Sequence, residues 1–209
     1  MVAPERTSRV LLPFQTAQER RISLRLKAPN CDNPVWLRLC YDPALEARYA
    51  ELESRSVIGA PPSGVDRDMV LDNADLYNLG SNPGRDAILE MVTRRIPAIA
   101  DTIIGSVIED YEGYELSEDA DEEPLERASE MTVMLLCVVD DAAVEEGLVK
   151  LFWLDSHGRC VWSNKIDPPD LQSMRGTFLG GYTLAEAVDT YLAHGNEDGC
   201  GVYQQRHDS

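Results

Sequence analysis

One stretch of the chain is almost continuously apolar: Met131-Thr132-Val133-Met134-Leu135-Leu136-Cys137-Val138-Val139. An apolar run of this kind is typical of a β-strand that is covered on both faces. Two carboxylates, Asp140 and Asp141, follow it directly. We therefore expect a buried strand that ends in polar residues.

A second pattern lies downstream of this strand. The segments 148–154 and 159–166 are separated by Asp155-Ser156-His157-Gly158, with the acid first and glycine last, as a type I turn with a glycine bulge prefers. Thr183 and Glu186 then form a capping-box pattern, which predicts a helix as far as about residue 193. Residues 127–209 are thus predicted to form a three-stranded antiparallel meander and a helix.

The N-terminal part also shows alternation. Apolar and polar residues alternate in 20–27 and again in 35–41, which predicts an antiparallel hairpin with one cationic face. Residues 10–14 are a candidate third strand. Helices are predicted over 43–54 and 69–79, with loops at 59–64 and 80–84.

The longest helical pattern covers residues 85–111. Its apolar residues recur every three or four positions, and Pro97 is expected to kink or divide the helix. Strands and amphipathic helices in both parts of the chain indicate an α+β fold, with antiparallel hairpins or a meander packed against the helices.

Between the two parts lies an acidic segment, residues 109–126, that contains no basic residue. Its ten acids are Glu109, Asp110, Glu112, Glu115, Glu118, Asp119, Asp121, Glu122, Glu123 and Glu126. Like-charge repulsion and the scarcity of apolar residues favour an extended linker. We therefore expect an N-terminal unit over 1–108 and a C-terminal unit over 127–209. The sequence leaves open whether the two units share one sheet.

The charge of the chain is uneven. The 209 residues include 37 acids and 19 lysines and arginines, for a net charge of −18, and the acidic segment alone carries −10. Residues 1–56, in contrast, carry +2. This balance argues against direct binding to nucleic acid or anionic lipid, because both require clustered Lys and Arg.

The chain lacks the patterns of membrane and secreted proteins. It has no apolar window of about 18 residues and no signal-type apolar region near Met1. The five cysteines are scattered, with no C-x-x-C pair, which is typical of reduced thiols. We expect a cytoplasmic protein without a metal or other cofactor.

Two groups of residues are catalytic candidates. His157 lies near Asp155 and Cys160, but the turn chemistry of this segment explains these residues without catalysis. Asp140 and Asp141, at the end of a buried strand, are the candidate ligands of a divalent metal. Trp153 and Trp162 flank the same hairpin and are expected to pack in the core rather than to bind a partner.

The acidic segment is the main functional candidate. A polyanion on a folded scaffold binds basic protein surfaces and competes there with nucleic acid. We therefore expect a non-enzymatic adaptor or inhibitor, of the kind that phages or mobile elements encode, that occupies a basic surface of a partner protein. One alternative is a metal-dependent enzyme that uses Asp140 and Asp141. Another is a structural subunit of a virion or homo-oligomer, in which the cationic hairpin meets a neighbour's acidic segment.

Overall fold

Five strands form one mixed sheet in a computed structural model that describes residues 15–27, 34–56, 65–99, 134–155 and 157–172. The strands are β1 (Val35–Arg38), β2 (Val70–Leu71), β3 (Met134–Val139), β4 (Val149–Leu154) and β5 (Cys160–Ile166), in the order β2-β1-β3-β4-β5. β1 pairs in parallel with β2 and β3, whereas β3, β4 and β5 pair antiparallel in chain order.

One helix precedes β1 in the sequence, and the other described α-helices lie between strands. The described α-helices are α1 (Ala17–Leu26), α2 (Glu46–Arg55), α3 (Ala74–Tyr77), α4 (Arg85–Arg95) and α5 (Asp141–Glu146). Short 3-10 helices span Arg67–Met69, Pro97–Ile99 and Pro168–Asp170. Helices together with a mixed sheet place the protein in the α+β class.

β3 is covered on both faces, as its apolar sequence predicts. All six of its residues are buried, and successive side chains enter two different cores. Leu135, Cys137 and Val139 pack with residues of α2 and α5, on what we call the α2 face. Leu136 and Val138 pack with residues of α1, α3 and α4, on the α4 face. The sheet thus lies between two layers of helices.

The predicted N-terminal hairpin is wrong. Residues 17–26 form α1, because Thr16 caps the helix and Glu19 completes a capping box. Ile22 and Leu26 are one helical turn apart and both buried, whereas Leu24 between them is 73% exposed. The alternation that suggested a strand is therefore also compatible with one buried helix face. β1 is a strand as expected, but its neighbours are the parallel strands β2 and β3.

The other helix predictions hold in part. The helix expected over 43–54 is α2, which begins at Glu46 after a turn in which Asp42 Oδ1 accepts a hydrogen bond from Ala44 N (2.8 Å). The long pattern starting at residue 85 gives α4, which ends at Arg95 just before Pro97. Residues 69–79 are divided between the end of a 3-10 helix, β2 and α3 instead of forming one helix.

Strands from both sides of the acidic segment share the sheet. β1 and β2 precede residues 109–126 and β3 follows them, so the β1–β3 pairing joins two distant parts of the chain. The candidate strand at 10–14, the loop at 59–64, the linker at 109–126 and the helix at 183–193 lie outside the described residues. Within the described ranges, no helix combines the length and apolar character needed to cross a bilayer.

Candidate functional site

The ten predicted binding residues, Glu109 to Glu126, fall in residues 100–133, outside the described residues. The structure does describe the residues on either side of 100–133. Ile99 ends a 3-10 helix and Met134 begins β3, and both side chains are buried in the core of the α4 face. The described chain therefore ends before residue 100 and resumes after residue 133 in the same core.

The described fold is close to charge balance. Its residues include 14 lysines and arginines and 18 acids, for a net charge of −4, against −10 for the eighteen residues of the acidic segment. At least nine of these 14 cations form an ion pair with a carboxylate of the described fold: Arg21, Arg25, Arg38, Arg67, Arg85, Arg95, Lys150, Arg159 and Lys165. Most cations of the described fold are thus already paired.

The arginines that the sequence placed on a cationic hairpin face belong to α1. Arg21 pairs with Asp68 (2.9 Å), and Arg25 pairs with Asp66 (3.0 Å) and Asp68 (2.7 Å). These pairs join α1 to the N-terminal end of a 3-10 helix. The hypothesis of a structural subunit depends on a cationic face of an N-terminal hairpin, but residues 17–26 form a helix.

Arg38 lies at the carboxyl end of β1, where parallel sheets often bind ligands. Its Nε donates to the carbonyl oxygen of Cys40 (2.8 Å), and its terminal nitrogens pair with Glu46 and Asp72. The guanidinium also lies 3.9 Å from the ring centroid of Tyr49. Burial opposes its charge, but the bond to Glu46 raises the pKa of Arg38. The N–H groups of Arg38 therefore contact other residues of the fold, and the ion pair with Glu46 joins the carboxyl end of β1 to α2.

Glu19 is the most enclosed acid of the α4 face, with 0% exposure. Its carboxylate accepts hydrogen bonds from Arg95, from the Tyr77 hydroxyl (2.8 Å) and from the backbone N–H of Thr16 (2.6 Å). Burial alone would raise its pKa, but the bonds from Arg95, Thr16 and Tyr77 prevail and lower the pKa of Glu19. This carboxylate joins α1 to α3 and α4.

Asp140 has a structural role at the carboxyl end of β3. Its Oδ1 accepts from the backbone N–H of Ala143 (2.9 Å) as the N-cap of α5, and its Oδ2 pairs with Lys150 Nζ (2.7 Å). Burial and the carboxylate of Asp141 raise the pKa of the Cys40 thiol to about 12. A metal ion at Asp140 would have to displace Lys150.

Asp155 shapes the turn between β4 and β5. Its Oδ1 accepts from the backbone N–H groups of His157 and Arg159 (both 2.9 Å), and Gly158 takes the positive φ of +72° that the turn pattern predicts. Cys160 is buried at the start of β5. The hydrogen bonds of the Asp155 carboxylate therefore stabilise the turn. They support the structural interpretation of this segment over the catalytic one.

Trp153 lies in the core, as expected. It is 1% exposed, and its Nε1 donates to Asn164 Oδ1 on β5 (2.9 Å). Trp153 and Trp162 are register partners along the β4–β5 pair, although the side chain of Trp162 is outside the described residues.

Among the described residues, no group of three or more His, Cys, Asp and Glu side chains is arranged to hold a metal ion. Comparison of the chain with protein-family models, curated proteins and solved structures found no match.

Proposed function

We propose that this protein is a non-enzymatic, cytoplasmic interaction module whose acidic segment, residues 109–126, occupies a basic surface of a partner protein. It acts as an adaptor or inhibitor, and a nucleic-acid-binding surface is the kind of target that a polyanion fits best. The charge distribution supports this proposal. The described fold carries only −4 and pairs most of its own cations, so few of them remain to neutralise the −10 of the segment.

The expected strength of the contact follows from the number of acids. Exposed ion pairs contribute roughly 0.5 kcal/mol each, so ten contacts amount to about 5 kcal/mol, or a dissociation constant of about 0.2 mM.

Two variants separate a charge effect from specific side-chain contacts. In the first, the ten acids become Gln and Asn; in the second, the order of residues 109–126 is permuted with composition unchanged. The wild-type chain is used to capture partners from extracts of its source cells at about 0.1 M salt. The captured protein is then purified and titrated with each variant by calorimetry.

We expect neutralisation to weaken binding at least about tenfold and permutation to change it less than about twofold, because a charge surface depends on total charge. Binding should also be lost at about 0.5 M salt, where exposed charges are strongly screened. Unchanged affinity of the neutralised variant, or binding that persists at high salt, contradicts the proposal. Loss of binding in the permuted variant would instead indicate individual contacts.

A further inference from the structure

A groove of about 460 Å³ lies between α4 and the turn that joins β4 to β5. One wall is α4, with Arg85, Asp86, Leu89, Glu90 and Thr93. The other is the turn, with His157, Gly158 and Arg159, together with Cys160 at the start of β5. The volume is within the range of pockets that hold small molecules. None of the residues that line the groove belongs to the Arg38 and Glu19 clusters.

Arg159 is held in position by a buried carboxylate. Its Nε and one terminal nitrogen both lie 2.7 Å from Oδ2 of Asp155, whose side chain is 3% exposed. Asp155 is itself fixed by two backbone N–H groups of the turn. The side chain of Arg159 is nevertheless 67% exposed. A guanidinium that is fixed along one edge and open to solvent elsewhere is pre-organised to bind an anion.

A second cation lines the opposite wall. Arg85, in the first turn of α4, has a carboxylate contact with Asp86 at 3.9 Å, which is too long for a hydrogen bond. Asp86 is 97% exposed and therefore mostly hydrated. Arg85 can thus turn toward an anion at a small cost. Between the two arginines, Leu89 and the buried Cys160 supply apolar surface, and Gly158 has no side chain to occupy the space.

The geometry points to a binding site for an organic monocarboxylate in this groove, with the carboxylate bound by Arg159 and Arg85 and the apolar body against Leu89 and Cys160. A monoanion is favoured over a phosphate ester, because Asp86 and Glu90 line the same groove and repel a second negative charge.

Benzoate is the probe for this site, with benzyl alcohol as the neutral analogue and phenyl phosphate as the dianion. Titrations are followed by the backbone amide signals of the full chain. We expect saturable binding of benzoate at millimolar concentrations, with the largest shifts at Gly158 and Arg159. Benzyl alcohol and phenyl phosphate should each bind at least about fivefold more weakly.

Arg85→Gln and Arg159→Gln should each weaken benzoate binding about tenfold. Arg94→Gln is the matched control, since it removes an exposed arginine of α4 that does not line the groove. Arg85→Gln keeps the test valid if Arg159→Gln perturbs the turn around Asp155. Absence of saturation up to about 20 mM benzoate overturns the inference. So does equal weakening by Arg94→Gln, or binding of benzyl alcohol or phenyl phosphate as strong as that of benzoate.

Discussion

Several carboxylates of the described fold have identifiable partners, whereas the ten acids at 109–126 have no basic residue among them in the sequence. Glu19, Asp140 and Asp155 are each buried, and each accepts hydrogen bonds from at least two groups. The same functional group therefore stabilises the fold in one region and supplies net charge in the other. The comparison predicts that substitutions of acids affect stability in the first region and binding in the second.

Truncation of Glu19 should have the largest effect on stability. Glu19→Ala removes the partner of Arg95 and Tyr77 and one half of the capping box, so we expect a loss of about 3 kcal/mol in the free energy of unfolding. Urea denaturation measures this loss. Glu90→Ala, which removes an exposed acid of α4, should change stability by less than about 0.5 kcal/mol. Equal effects of the two substitutions would contradict the role assigned to Glu19.

Substitution of Asp140 should have the second-largest effect on the free energy of unfolding. Asp140→Ala removes the N-cap of α5 and leaves Lys150 without this partner, which should cost about 2 kcal/mol. Asp140→Asn keeps an oxygen that can cap the helix and should lose about half as much. Urea denaturation of both variants tests this order. If Ala and Asn destabilise equally, the cap contributes nothing and only the ion pair with Lys150 matters.

The ionisation of Glu19 should make stability depend on pH, with a smaller effect than the substitutions above. Its folded pKa lies below the ordinary value of 4.5, so the unfolded chain takes up this proton first as the pH falls. The contribution of Glu19 is therefore complete above about pH 4.5 and is lost as the pH falls through the folded pKa. Urea midpoints measured between pH 6 and pH 3, roughly, should fall less steeply for Glu19→Gln than for wild type. Parallel curves would show that Glu19 titrates alike in both states.

Local sequence patterns were sufficient for the C-terminal strands. The apolar run of β3 and the Asp155 and Gly158 turn both depend on residues close together in the chain, and the structure agrees with them. Alternation in 20–27 predicts a strand, but the residues that start α1, Thr16 and Glu19, form a capping box that begins before that window. Helix starts thus need to be sought upstream of an apolar pattern.

The parallel pairing of β1 with β3 has no local signal, since about a hundred residues separate the two strands. The same holds for the contacts of individual side chains. Glu19 and Arg95 are 76 positions apart, and Arg38 and Asp72 are 34 positions apart, so only the folded chain brings them together. The position of Asp140 directly after an apolar run predicts that it lies at the end of a strand. Its bond to Lys150, in contrast, depends on the β3–β4 register.

Neutralisation of the acidic segment should have the smallest effect on stability. Replacing all ten acids of 109–126 by Gln and Asn removes ten negative charges, yet we expect the free energy of unfolding to change by less than about 0.5 kcal/mol, because most cations of the described fold already have other partners. Any change should be toward greater stability at low salt, since self-repulsion falls. Urea denaturation at about 0.02 M and 0.5 M salt provides the test. A loss of more than about 1 kcal/mol that disappears at high salt would show that the segment pairs with cations of its own chain, and the segment would then be a part of the fold rather than a surface for a partner.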